Sequence, residues 1–238
     1  MAKNSVTALL KQVRIITVVE RDRYKVKIVH TNIPEIKLIQ INEHPDEREM
    51  KTNCIVTYQW NILRQYIDQE AKPFISEAES FIKRTGTVRG LYYDRPPKTG
   101  SLLIRCVSGS AFQVAVDLRD NMPTYRKWVG KILSAENGLQ MYVPSGFAQG
   151  FLTLEDNTVL QYKSTSYVLP QFRKLIHYAD PLIGISWPQE PIYMSAQVKF
   201  ANGIEQVELE TEMECLDNAS EYDERELEIE QMAGRENG

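Results

Sequence analysis

Between residues 102 and 166 apolar and polar positions alternate in short runs, and turn residues interrupt those runs at regular intervals. The runs 102–108, 111–118, 128–133, 139–143, 151–154 and 158–166 predict strands. Between them lie Gly109, Asn121-Met122-Pro123, Asn137-Gly138, Ser145-Gly146 and Asp156-Asn157, the residue types that turns favour. The period of two begins earlier: Val26, Ile28 and His30 alternate with Lys25, Lys27 and Val29, and 36–41 repeats the pattern after Pro34. Many short strands at this spacing predict an all-β sandwich or barrel, with a double-stranded β-helix jelly roll as one solution.

The two ends read differently. In 1–25, Val6, Leu9, Leu10, Val13 and Ile16 have roughly helical spacing, yet 15–19 is a β-branched run, so helix and strand both stay open. Residues 43–49 predict a charged loop and 54–60 a further strand, and helical stretches are expected around 63–69 and 77–81. Asn202-Gly203, between 197–201 and 204–209, predicts a hairpin with a type I′ turn. Ser220 then predicts an N-cap for a charged helix over 221–232. The expected organisation is an N-terminal extension (1–25), a jelly-roll domain (26–188) and an acidic C-terminal extension of hairpin plus helix (189–238).

Charge changes this picture only by its distribution. The net charge is −4, but residues 201–238 hold 13 acidic against 2 basic side chains, so the body is basic and the tail acidic. A basic body suits an anionic ligand or is balanced by its own tail. No run of Lys and Arg interleaved with aromatics points to nucleic acid, and no apolar run reaches the length of a membrane span. Lys11 and Arg14 cut into the apolar N-terminal stretch, which argues against a secretion signal. Cys54, Cys106 and Cys215 are odd in number and widely spaced, which predicts neither disulfides nor a zinc site and places the chain in a reducing, cytoplasmic compartment. Neither a metal nor a cofactor is expected.

Two stretches carry candidate chemistry. The first is RGLYYDRPPKTGSLLIR (89–105), where Gly90 permits a tight turn and Pro96, Pro97 and Gly100 separate two strands. The second is YVPSGFAQGF (142–151). Together with DLRDNMPTYRKWVG (117–130), LSAEN (133–137) and DPLIGISWP (180–188), they resemble the dTDP-4-dehydrorhamnose 3,5-epimerase family, whose fold is the cupin jelly roll. The resemblance runs from about residue 26 to 188, and is thin before 89, where Glu49 replaces a family glycine.

The resemblance implies a 3,5-epimerase-like role on dTDP-4-keto-6-deoxysugars, in rhamnose or related deoxysugar supply for a surface or spore-coat polysaccharide. Such chemistry needs a base, donors to a developing enolate oxygen and an acid on the opposite face. By position, Tyr162 is similar to the family's acid and Asp180 to the aspartate that partners its base. Arg48 and Arg89 resemble the diphosphate arginines, and Tyr167 a side chain flanking the nucleotide base. The family's base histidine is replaced by Tyr92, its lysine by Leu102, a glutamine by Gly100 and a second histidine by Gln149. A phenol ionises near 10 and an imidazole near 6.5, so a tyrosine is a poor base at neutral pH. His30, His44 and His177 offer no clear replacement. Two functions follow: an epimerase-like enzyme with altered chemistry, or a non-catalytic paralogue that binds a dTDP-sugar or acts as a structural partner in the pathway. The resemblance also implies a homodimer formed by strand exchange, with 26–41 as the partner edge.

Overall fold

Each alternating strand offers one apolar side, and two antiparallel sheets bury those sides against each other. The structure is a computed structural model that describes residues 14–21, 24–41, 44–45, 51–52, 66–68, 70, 72–95 and 99–217, with side chains described within 26–40, 66–70, 72–95 and 99–210. The strands are β1 (Arg14–Arg21), β2 (Tyr24–His30), β3 (Lys37–Ile41), β4 (His44–Pro45), β5 (Lys51–Thr52), β6 (Ser76–Ile82) and β7 (Val88–Asp94). After them come β8 (Leu102–Ser108), β9 (Ser110–Asp117), β10 (Trp128–Ser134), β11 (Leu139–Val143), β12 (Phe147–Thr153), β13 (Thr158–Ser164) and β14 (Arg173–Leu175). Helices α1 (Ala196–Lys199) and α2 (Ile204–Asp217) close the described chain.

One sheet has seven strands in the order β1-β2-β3-β11-β8-β13-β6 and the other five in the order β10-β9-β12-β7-β14. This is the all-β sandwich that the alternation predicts, in the jelly-roll form that the family resemblance implies. Ile104, Cys106, Met141, Val143 and Leu160 from the larger sheet meet Ala111, Ala115, Val129, Leu133, Phe147 and Phe151 from the smaller one. Strand β9 is buried along its whole length, because both faces of its sheet are covered. Phe112, Val114, Val116 and Ala148 on the outer face pack under Ile183, Trp187, Ile204 and Val207 from the C-terminal segment.

That covering corrects the reading of the C-terminus. The hairpin across Asn202-Gly203 is absent: α1 and α2 flank the pair, and neither residue has the positive φ a type I′ turn requires. Ile204 and Val207 lie three apart, a spacing that serves one face of a helix, and burial on the smaller sheet outweighs the local turn signal. The acidic helix also docks on the basic body through Arg126–Glu208 at 2.9 Å and Lys174–Glu210 at 3.9 Å. The helix expected over 221–232, the strand over 54–60 and the start of the stretch 63–69 lie outside the described residues.

Other differences are local. Residues 77–81 form strand β6, since pairing with β13 overrides helical preference. Strand β12 starts at Phe147, four residues earlier than the pattern predicts, because both faces of FAQGFLT are buried and no alternation marks its start. The region 14–21 is a strand at the end of the larger sheet, and β2 and β3 each have two neighbours within the chain. Residues 26–41 therefore are not a free edge, and β1 and β6 hold the two ends of that sheet.

Candidate active site

A cavity of about 210 Å³ opens between the sheets at the β6 end, where the inward residues become small. On β6 these are Ser76, Ala78 and Ser80, set in register with Ser164, Tyr162 and Leu160 of β13. Large side chains fill the sandwich elsewhere, and the short ones here leave room. Arg89, Tyr92, Gln149, Tyr162, Leu102 and Arg173 are among the lining residues.

Arg89 and Tyr92 share this cavity because of a bulge. Gln149 pairs with Tyr92 and Phe151 with Arg89, so β7 advances three residues while β12 advances two. The extra residue sits at Gly90, whose φ is +102°. A Cβ there would come within 2.7 Å of the Gln149 carbonyl oxygen, so only glycine fits. Strict alternation would have sent the two side chains to opposite faces.

Electrostatics differ between the lining groups. Arg173 makes a bidentate pair with Asp94, at 2.7 and 2.8 Å, and its guanidinium carbon lies 5.5 Å from the centre of the Tyr92 ring. Arg89 has no ion pair among the described residues and is exposed at the cavity, available to an anion. Burial drives the Tyr162 phenol well above its ordinary pKa, outweighing the Ser80 hydroxyl that hydrogen-bonds it and the charges of Arg89 and Arg173. Tyr162 therefore keeps its proton at neutral pH and has the state an acid needs.

The remaining residues expected from the sequence lie elsewhere. Asp180 is buried but is not among the lining residues; its carboxylate accepts the Leu182 and Ile204 N–H groups, each at 2.8 Å, and so holds the start of α2. Tyr167 is exposed after β13, and its neighbour Val168 lines the cavity instead. Arg48 lies outside the described residues. His30 sits beside Lys37 and His177 against Tyr178, and neither lines the cavity. Glu77, at the mouth, pairs with Lys163. Among the described residues no cluster of His, Cys, Asp or Glu could hold a metal, and no helix is long and apolar enough to cross a membrane.

Sequence reasoning missed Arg173, Ser80 and Gln113. Gln113 did leave a signal: it is the one amide in the apolar run of β9, and a buried polar group in such a strand needs a partner. It donates from Nε2 to Gln149 Oε1 at 3.1 Å.

A family model described as dTDP-4-dehydrorhamnose 3,5-epimerase matches residues 30–205, most of the chain and all of the cavity. The chain belongs to that family. It is 35% identical over 161 residues to the dTDP-4-dehydrorhamnose 3,5-epimerase of Salmonella typhimurium, covering 68% of this chain and 85% of that protein. The match to the enzyme of the same name from Sinorhizobium fredii is 43% identical over 123 residues, which is 52% of this chain and a little under two thirds, 63%, of the relative. Among solved structures, a dTDP-6-deoxy-D-glucose-3,5-epimerase from Legionella pneumophila, in complex with dTDP-4-keto-L-rhamnose, superimposes with a TM-score of 0.70 at 32% identity. That match covers 78% of this chain and 96% of the other. A dTDP-4-dehydrorhamnose 3,5-epimerase from Bacillus anthracis with TDP and PPi bound gives 0.67 at 31% identity, covering 75% and 99%. In this chain Tyr92, Gln149 and Leu102 line the cavity.

Proposed function

We propose that the chain is an epimerase-like protein of deoxysugar metabolism that takes a dTDP-4-keto-6-deoxyhexose into the cavity between β6, β7, β12 and β13. The observation that carries this reading is the meeting of Arg89, Tyr92, Gln149 and Tyr162 around one opening. Arg89, without an ion pair among the described residues, has a guanidinium fork suited to the diphosphate. Tyr162, neutral and hydrogen-bonded by Ser80, serves as the proton donor to carbon 3 or 5. Gln149 offers an amide to the sugar, and Tyr92, on the sheet opposite that of Tyr162, is the group that exchanges a proton on the opposite face of the sugar. Arg48 is assigned to the diphosphate and Tyr167 to the nucleotide base on the family resemblance alone. The protein works as a homodimer in the cytoplasm, with β1 and β6 as the sheet ends open to a second copy.

A second reading, binding without turnover, is favoured by a specific observation. The described lining contains neither imidazole nor ammonium, its one carboxylate is engaged with Lys163, and both Asp180 oxygens already accept backbone N–H groups. Without a positioned base, proton abstraction is slower by about 100- to 10,000-fold.

Proton NMR with dTDP-4-keto-6-deoxyglucose in deuterated buffer separates the two. Deuterium entering at carbon 3 or 5, abolished by Tyr162→Phe, is the expected result for the enzyme. Broadening of thymidine signals without exchange supports the binding protein, and the absence of both overturns the proposed ligand.

A further inference from the structure

Gln113 is fully buried on the inner face of β9, among apolar neighbours of the core. Its Nε2 lies 3.2 Å from the Val114 carbonyl oxygen and 3.1 Å from Gln149 Oε1. A backbone carbonyl only accepts, so the Gln113 atom facing it must be the nitrogen. The second N–H of that group then requires an acceptor, which fixes the facing Gln149 atom as oxygen. The Gln149 –NH2 has no partner among the described residues, and Gln149 lines the cavity opposite Tyr92. This orientation leaves Gln113 Oε1 buried without a partner among the described residues, an arrangement that does not serve stability.

We infer that Gln113 is a positioning residue that turns the Gln149 amide so that its N–H groups, not its oxygen, face the ligand. Gln149 stands beside Tyr92, away from Arg89, which pairs with Phe151 two residues further along β12. The donor therefore meets an oxygen of the sugar rather than of the diphosphate. The inference rests on the dTDP-sugar reading above and adds which ligand group the amide recognises. In a site that lacks the family lysine, a fixed neutral donor supplies hydrogen bonding to the keto or hydroxyl oxygen without a charge.

The test begins with the free full-length protein labelled with 15N-glutamine, its side-chain signals assigned with Gln149→Leu. The Gln113 –NH2 should exchange slowly with solvent, and the Gln149 –NH2 rapidly. A protected Gln149 –NH2 in the free protein overturns the orientation. Calorimetry then compares dTDP with dTDP-4-keto-6-deoxyglucose. Gln149→Leu should weaken the sugar nucleotide by about tenfold or more, the size of a lost donor at a buried site, and leave dTDP unchanged. Gln113→Met removes the donor that holds the Gln149 oxygen inward, so the Gln149 amide is no longer fixed; a selective loss of the sugar nucleotide, smaller than for Gln149→Leu, is expected. Equal losses for the two ligands, or no loss for either, overturn the sugar contact. If the wild type binds neither ligand, the dTDP-sugar assignment itself falls, and the exchange pattern of the free protein distinguishes that failure from a misoriented amide.

Discussion

Replacing Asp180 by alanine removes one carboxylate and leaves two N–H groups to find other partners. The Leu182 N–H belongs to an exposed residue, so water takes the place of the lost oxygen at a cost of about 0.5–1 kcal/mol. Ile204 is fully buried at the first turn of α2, and leaving its N–H unpaired costs about 1–3 kcal/mol. The sum, about 1.5–4 kcal/mol, corresponds to a fall in Tm of roughly 3–16 °C for a chain of this length. Asp180→Asn keeps one acceptor and should lose about half as much. Circular dichroism melts of the two variants, run beside the carbon 3 and carbon 5 exchange assay, measure both quantities. A Tm within about 1 °C of wild type together with a loss of exchange or sugar binding would refute the capping argument. It would return Asp180 to the role that the family resemblance implies.

Other outcomes follow from the same geometry. Gly203→Ala should destabilise α2 in the same way, since the added Cβ would stand 2.9 Å from Asp180 Oδ2; an unshifted melt counts against this packing. Tyr162→Phe should reduce any deuterium incorporation by about 100-fold or more while leaving dTDP affinity intact, read by NMR and calorimetry. Arg89→Ala should weaken dTDP by roughly 10- to 100-fold with little change in Tm, because the guanidinium has no described ion pair to lose. Burial raises the Asp117 carboxyl, but hydrogen bonds from the Arg119 side chain, the Thr124 hydroxyl and the Arg119 N–H more than offset this and hold its pKa below the usual value. A lowered folded pKa adds stability above the unfolded value of about 3.9 that is lost as pH falls through the folded one. Urea unfolding from pH 6 to 2.5 should therefore show a loss below about pH 4 that is smaller in Asp117→Asn.

Much of the strand framework was legible because the chain alternates. In β8, β10, β11 and β13, turn residues bound the runs, and the observed strands begin within a residue of the expected positions. Alternation failed where both faces of a strand are covered, as at the start of β12, and where one covering element supplies the burial, as at α2. Local propensity favoured a hairpin at Asn202-Gly203, while the energy resides in Ile204 and Val207 against the outer face of the smaller sheet.

The candidate site divides along the same line. Residue identities at 89, 92, 102, 149 and 162 follow from the sequence, and with them the family. That Arg89 and Tyr92 share a cavity depends on one extra residue in β7, which only the register with β12 reveals. That Asp180 holds a helix, and that Gln113 turns Gln149, are contacts between residues 24 and 36 positions apart. Composition and periodicity record what each residue prefers among its neighbours in the chain. Which polar atoms remain unpaired in the cavity is decided only when distant strands meet, because a hydrogen bond satisfied across the fold is invisible along the sequence.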